Sequence, residues 1–320
     1  MILTVTLNPA YDKIYWVKEL KFDGETILSR AHRTHSSAGG KGINVSIYLG
    51  RLGMDNIAMG FIGGHTGRAI KRSLREEGVT TNFNWVDGET RTNVAILRKG
   101  KEDQPIEVNE AGTPLTEKDL DRFLDQYKLM LDRVSHAVLS GSLPPNTPDD
   151  FYARLVDMAQ EADVKTFVNT GPPQLEKVIP SGPFLLKPDI RETNRILGEN
   201  LDDRESIIRV AQKMLEMGTQ YVLISHEITG DILATHDGYW DLEVQRDRLE
   251  VKNKVGAGDA LVGGIVFKLT GGSPIVQAVK YGMASASASV ETYAKMCRDT
   301  SLIQAELDKI TVQKLEETPQ

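Results

Sequence analysis

At 320 residues, 40% hydrophobic and 26% charged, the chain can bury a full core as one large α/β domain or two smaller ones. A formal net charge of −7 argues against a nucleic-acid binder and leaves room only for a local basic pocket. Cys297 is the single cysteine, which excludes a disulfide framework and a cysteine-based zinc site. Met1-Ile-Leu-Thr-Val-Thr-Leu-Asn8 lacks the basic n-region of a signal peptide, and no apolar run approaches membrane-spanning length, so a cytoplasmic address is expected.

Residues 2–7 are a short apolar run closed by Asn8-Pro9, which predicts a buried first strand. Asp12 lies just past its C-terminal end, where open α/β sheets place ligands. Ile14-Tyr-Trp-Val17 predicts an accessory strand. Ser36-Ser-Ala-Gly39-Gly40-Lys41-Gly42 reads as a glycine-rich loop opening a helix over 43–52 that Gly53 stops. Residues 57–62 predict a strand, followed by a second glycine-rich stretch and a helix to about 77. Residues 90–98 alternate as a strand with 106–109 as its partner and 99–104 as the hairpin loop.

After Gly112 the pattern is regular: helix 117–131, strand 137–140, helix 149–162, strand 166–169 and a short strand 185–187. Helices 192–197 and 204–217 then lead to a strand over 221–225. These spacings predict one α/β domain over 1–320, a doubly wound, mostly parallel sheet flanked by helices. Strands from about 12–35 and 84–110 predict a small β-sheet lid, through which a homodimer would pair by fold analogy. The tail after 315 is expected to fray.

The chemistry centres on Lys254-Val-Gly-Ala-Gly-Asp259, which runs into an apolar, small-residue stretch over 260–269. That order reads as a loop feeding a helix N-terminus, where unpartnered N–H groups and the helix dipole attract anions. The small residues Gly256, Ala257 and Gly258 would let a phosphate approach the backbone. Asp259 either caps the helix or takes a proton from an attacking hydroxyl. Lys41 in Gly39-Gly40-Lys41-Gly42 resembles a phosphate loop but lacks the Walker A frame; Asn44 would reach a ligand or serve as a cap.

Arg91 and Asn93 in Glu89-Thr-Arg91-Thr-Asn93 place a guanidinium and an amide on the predicted lid, and Arg30 is a second candidate cation there. Ser140-Gly-Ser-Leu-Pro144 puts small polar groups at a strand end without forming a nucleophile elbow, so serine hydrolysis finds no support. Lys187-Pro-Asp189-Ile-Arg-Glu192 sets two acids three residues apart at a strand-to-helix junction, either organising Mg²⁺ through water or favoured by the helix dipole. The six histidines include no HExxH pair and are read as non-metal.

Taken together, the ordered motifs resemble the ribokinase-like PfkB carbohydrate kinases, in the branch of 1-phosphofructokinases and tagatose-6-phosphate kinases. Thr6-Leu-Asn-Pro-Ala10 with Asp12, Ala38-Gly-Gly-Lys-Gly-Ile-Asn44, Glu89-Thr-Arg91-Thr-Asn93, Val108-Asn-Glu110 and Ser140-Gly-Ser-Leu-Pro144 carry the first half of the resemblance. Lys187-Pro-Asp-Ile-Arg-Glu192 and Val255-Gly-Ala-Gly-Asp259 carry the second. The resemblance implies a kinase using ATP and Mg²⁺ on a phosphorylated ketohexose, with Asp259 as general base and the amides of Gly256, Ala257 and Gly258 as anion hole. It implies that Asp12, Gly39, Gly40, Lys41, Asn44, Asn93 and Ser140 meet the sugar phosphate, with Arg91 and Arg30 closing over it. Lys187, Asp189 and Glu192 would face ATP and Mg²⁺, the ion meeting Glu192 through water, while Ser225 and Gly230 border the nucleotide.

Three departures stand out. The family's Asn in Asn-x-x-Glu is Asp189, its Asp-Thr-Ser-Gly is Asn169-Thr-Gly171-Pro, and its Ser-Leu-Gly is Ser225-His226-Glu227. They give weight to a rival reading, a sugar-phosphate-binding regulator that kept the fold and lost efficient turnover. A nicotinamide-dependent oxidoreductase fits poorly, because Gly256-Ala-Gly258 lacks the third glycine of the dinucleotide fingerprint.

Overall fold

The structure, a computed structural model, describes residues 1–22, 24, 27–190, 195–226, 230–245 and 249–315. β1 (Ile2–Thr6) is buried along its whole length, as an apolar run between covering layers should be. The chain then leaves for a second sheet through β2 (Ala10–Val17), the two-residue strands β3 (Lys21–Phe22) and β4 (Ile27–Leu28), and β5 (Ala31–Gly39). It returns through α1 (Lys41–Arg51), β6 (Asn56–Ile62), α2 (Gly64–Glu76) and β7 (Thr80–Trp85). β8 (Thr92–Arg98) and β9 (Lys101–Asn109) go back to the second sheet.

Regular alternation follows with α3 (Glu117–Leu131), β10 (His136–Ser140), α4 (Phe151–Glu161), β11 (Lys165–Asn169), α5 (Gln174–Val178) and β12 (Leu185–Leu186). β13 (Arg195–Ile196) and β14 (Glu199–Asn200) make a small hairpin before α6 (Arg204–Glu216). β15 (Tyr221–His226), β16 (Gly230–Thr235) and β17 (Gly238–Val244) form a meander. α7 (Ala257–Thr270), α8 (Ile275–Val290), α9 (Leu302–Leu307) and β18 (Ile310–Leu315) complete the described chain.

The main sheet runs β18-β17-β16-β15-β12-β11-β10-β1-β6-β7, parallel from β7 to β15 and antiparallel beyond. From β1 the chain first builds outward through β6 and β7, then restarts on the other side with β10. Connections leaving β1 and β10 therefore diverge, and such a switch point opens a crevice at the C-terminal strand ends. Side-chain alternation divides the core into two layers. Leu3, Val5, Ala137 and Leu139 pack on the α3–α6 side, and Ile2 and Val138 face α1, α7 and α8. α7 is apolar nearly all round, with Ala260 to Val266 buried, because it is enclosed between α1 and α8.

The second sheet has the order β5-β2-β8-β9 and is mixed, since β2 and β8 run parallel. Ile14, Trp16, Ala95 and Leu97 form its inner apolar face and pack against Val255, on the loop that feeds α7. Several expected boundaries move. Residues 36–39 are strand rather than loop, because β5 pairs with β2 through Ser37↔Asp12 and Gly39↔Ala10, so only Gly40 separates β5 from α1. The 99–104 loop shrinks to Lys99-Gly100, residues 101–104 being drawn into β9. Residues 84–85 belong to β7 of the main sheet. In the helix expected over 192–197, residues 191–194 lie outside the described residues. Arg195-Ile196 is strand, because Leu197 and Gly198 both adopt positive φ and make the tight turn of a hairpin. His32 and His35 lie in β5 and His65 in α2.

Candidate active site

Two helices present glycine-capped N-termini at the C-terminal edge of the sheet. Gly40 caps α1 at φ 98° and Gly256 caps α7 at φ 85°, and neither end has a side-chain cap. A side chain at Gly256 would meet Met296 Cγ at 2.9 Å in addition to the left-handed strain. A Cβ on Gly258, by contrast, would meet nothing within 4 Å, so this part of the α7 terminus faces open space that a phosphate could fill. Ala257 N–H is engaged by Lys254 O at 3.2 Å.

A cavity of about 960 Å³ runs along this edge. It brings together Asp12, Gly40, Lys41, Asn44, Arg91 and Asn93 with Lys187, Asp189, Ser225 and Gly230, and with Gly256, Ala257, Gly258 and Asp259 of the α7 terminus. The parallel sheet fixes their order. Asn8 follows β1, Ser142 follows β10, Asn169 ends β11, Lys187 follows β12 and Ser225 lies in β15.

At the β1–β10 end, Arg91 Nη2 donates to Asn8 O at 3.0 Å and Nη1 to Glu110 O at 2.9 Å. Burial lowers the Arg91 pKa, and the nearby Asp12 and Glu110 carboxylates pull the other way. Asp12 Oδ1 accepts from Asn93 Nδ2 at 3.2 Å, and its Oδ2 accepts from Lys295 Nζ at 2.5 Å. Gly39 leaves room for this carboxylate, which a Cβ there would strike. Lys295 is only 3% exposed and also donates to Ala38 O at 3.0 Å. Arg51 holds the loop behind it by donating to Lys295 O and Met296 O at 3.3 and 3.2 Å.

Asp259 is 7% exposed, and its Oδ2 accepts from Asn44 Nδ2 at 2.6 Å, which ties the two helix N-termini together. Lys41 Nζ, on the first residue of α1, pairs closely with Asp189 Oδ2 and lies 3.4 Å from Asn169 Oδ1. At the β12–β15 end, Lys187 Nζ donates to Ser225 Oγ at 3.0 Å, and Ser225 donates to Asp231 Oδ1 at 2.6 Å. Burial raises the pKa of Asp231 against the opposing pull of Lys187. His226 Nε2 contacts Asp241 at 3.2 Å, and Arg204 bridges Asp241 and Glu243, so a cation already compensates these two acids.

Some expected site residues stand elsewhere. Ser140 is fully buried with its hydroxyl directed at Asn169 O, and the cavity is lined by Gly141 and Ser142 instead. The strand ends at Ser140 as predicted, but Ser140 is still a strand residue with its side chain turned into the core. Arg30 is exposed just before β5 and does not line the cavity. Gly39 lies behind Asp12 rather than at the cavity surface. Glu192 and Glu227 lie outside the described residues. Lys295 and Asp231 escaped sequence reasoning. Asp12 and Lys295 are 283 residues apart with no motif around the lysine, so only packing reveals the pair.

The profile described as pfkB family carbohydrate kinase matches residues 5–297. A Bacillus subtilis protein named 1-phosphofructokinase is 32% identical over 315 residues, which cover 98% of this chain and 100% of that protein. A Borreliella burgdorferi protein of the same name is 30% identical, with 90% of this chain and 91% of that one covered. Among solved structures, a Thermotoga maritima chain titled "Possible 1-phosphofructokinase" superposes with a TM-score of 0.91 at 34% identity, covering 99% and 100% of the two chains. Escherichia coli phosphofructokinase-2 in complex with fructose-6-phosphate shares the fold, with a TM-score of 0.83 at 23% identity over 96% of this chain and 98% of that one.

Proposed function

The chain belongs to the pfkB family of carbohydrate kinases, phosphotransferases with an alcohol acceptor, and from that premise we propose that it phosphorylates a ketohexose monophosphate, fructose 1-phosphate first, to the bisphosphate. The observation that carries this reading is the cavity in which the open α7 N-terminus with Asp259 meets Asn44 and the Lys41, Asp12 and Arg91 side. ATP is the co-substrate that the family implies. The cradle beside Gly258 fits its transferring phosphoryl group, since amide dipoles there stabilise negative charge in a site that needs positioning more than covalent help. Mg²⁺ takes hard oxygen donors and retains water, and the Asp189 carboxylate on the cavity wall, although paired with Lys41, would meet such an ion through water, as Glu192 would by its expected position. The ion supplies charge neutralisation of the triphosphate when bound.

In the proposed reaction, the substrate hydroxyl oxygen forms a bond to the γ-phosphorus as the bond to the β–γ bridging oxygen breaks, and ADP leaves. Asp259 takes the hydroxyl proton, and the 2.6 Å bond from Asn44 orients its carboxylate. Arg91 and Lys41 supply fixed positive charge for the sugar phosphate, and Asp12 accepts from sugar hydroxyls. Lys187, held on Ser225 and Asp231, faces the nucleotide phosphates. The second sheet acts as a lid that keeps water from the phosphoryl group. Its outer strand β9, with Val108 61% exposed, is the face through which we propose that a homodimer pairs; sedimentation giving only a monomer overturns that pairing.

A coupled ADP-release assay with MgATP tests the function against fructose 1-phosphate, tagatose 6-phosphate and fructose 6-phosphate. Turnover is expected with fructose 1-phosphate, and preference for either other sugar corrects the substrate. Calorimetric binding of a sugar phosphate without turnover of any would move the protein to the regulator reading.

A further inference from the structure

Arg51 closes α1 about 15 Å along the helix from Lys41 at its cavity end, and it does not itself line the cavity. Its guanidinium serves two elements at once. Nε and Nη2 donate to the two Glu77 carboxylate oxygens at 3.0 and 2.7 Å. Nη1 donates to three successive carbonyls, Lys295 O, Met296 O and Cys297 O, at 3.3, 3.2 and 3.5 Å. Arg298 donates to the same Glu77 at 2.9 Å, so one carboxylate at the end of α2 anchors the segment and the residue that follows it.

The anchored segment has an uncommon backbone. Met296 is buried at φ 63°, a left-handed conformation that a non-glycine residue keeps only where its surroundings over-determine it. The planar fork of Arg51 supplies part of that constraint, and Ser289 Oγ supplies another part by accepting from Cys297 N–H at 3.0 Å.

The segment touches both halves of the cavity. Lys295 Nζ donates to Asp12 Oδ2 at 2.5 Å, on the sugar-phosphate side. Met296 packs against Gly256, the cap of α7, where a Cβ would meet Met296 Cγ at 2.9 Å. Asn253 Nδ2 joins the loop that feeds α7 to Tyr293 O and Ala294 O at 3.3 Å each.

We propose that Arg51 is a positioning residue for both substrates. It fixes one short segment that sets the Asp12 carboxylate through Lys295 and the open α7 terminus through Met296. The inference rests on the kinase reading above.

Arg51→Met, alone and in a Lys295→Met background, tests this well below the Tm of each variant. The readouts are kcat and calorimetric titration of fructose 1-phosphate without ATP or Mg²⁺. Alone, Arg51→Met is expected to weaken sugar-phosphate binding about tenfold and to lower kcat about tenfold. A wild-type value for either overturns the proposal, which assigns both effects to one residue. In the Lys295→Met background the path to Asp12 is already cut. There Arg51→Met is expected to change binding by less than about threefold while kcat still falls about tenfold. A residue that merely stabilised the fold would weaken binding equally in both backgrounds, and that result overturns the inference.

Should Arg51→Met fold poorly, Arg51→Lys takes its place, since a point charge cannot hold Glu77 through two nitrogens and the carbonyls through a third. Binding and kcat each reduced at least about threefold support the role, and wild-type values overturn it. The two readings fail separately. A wild-type protein that turns over while Arg51→Met matches it overturns this inference alone. A wild-type protein that binds fructose 1-phosphate without turnover fails the kinase reading and leaves the Lys295 comparison measurable by calorimetry. A wild-type protein that binds no sugar phosphate overturns both.

Discussion

Two helices on one side of the sheet begin differently from two on the other. α3 and α6 are closed by reciprocal capping boxes, Thr116 with Asp119 and Asp203 with Ser206, each side chain satisfying the other's backbone amide. α1 and α7 begin at left-handed glycines with no side-chain cap. A capped end stabilises the fold and offers nothing to a ligand, whereas an open end leaves amides and dipole available to an anion. The open ends also differ from each other. α1 carries Lys41 and no acid in its first turn, and α7 carries Asp259, so one suits a stationary anion and the other a group that gives up a proton.

This contrast can be broken by substitution. In the proposed mechanism Asp259→Asn removes the proton acceptor and is expected to lower kcat by roughly 10²–10⁴. Sugar-phosphate affinity measured by calorimetry should hardly change, and near-wild-type turnover would take Asp259 out of proton transfer. Gly258→Val directs its side chain into the cradle, where a Cβ meets no protein atom within 4 Å, so turnover should fall by at least about tenfold while Tm stays near wild type. An active Gly258→Val enzyme would argue that no phosphoryl group passes there.

Lys295→Met leaves the Asp12 carboxylate without its buried partner. It is expected to cost about 3–5 kcal/mol in a denaturant melt and to raise the sugar-phosphate KM far more than that of ATP. Equal effects on both KM values would make Lys295 purely structural. Thr116→Ala in a capped helix should cost about 1 kcal/mol of stability with kcat unchanged.

The smallest effect lies at the opposite edge of the sheet, where burial first and then Lys165 hold the His136 pKa down to about 4 from the ordinary 6.5. The folded state therefore resists protonation. This contribution to stability is full above pH 6.5 and is lost as pH falls from there toward 4. His136→Phe should flatten that slope in melts across this range and leave kcat alone; an unchanged slope would assign the acid sensitivity to other groups.

The regular part of the fold was legible because β10, β11, β12 and β15 are short apolar runs set off from a helical period. The boundaries that moved did so where pairing overrode local chemistry. Ser36 to Gly39 look like a loop by composition, yet β2 lies beside them and satisfies their backbone. The 192–197 helix failed at Leu197-Gly198, whose turn geometry no periodicity reveals. In the site, Asp259, Lys41, Asn44 and Arg91 could be singled out because each stands in a short motif with glycine or polar neighbours. Ser140 sat in such a motif too, but strand alternation turned it inward.

The sequence by itself determined the local instructions: which segments are apolar enough to be strands, where glycine replaces a cap, and which acid follows the α7 opening. Those are properties of a few adjacent residues, so they survive in the linear order. Only the tertiary structure decided which charges meet. Lys295 reaches Asp12, Lys41 reaches Asp189 and Asn169, and Lys187 reaches Asp231 through Ser225. The Lys41 and Lys187 contacts arise because the parallel strands β11, β12 and β15 end near one another in the sheet, and the Lys295 contact because Arg51 holds a distant loop in place. A charge in sequence has a sign, and it acquires a partner only when the packing of the core fixes where it points.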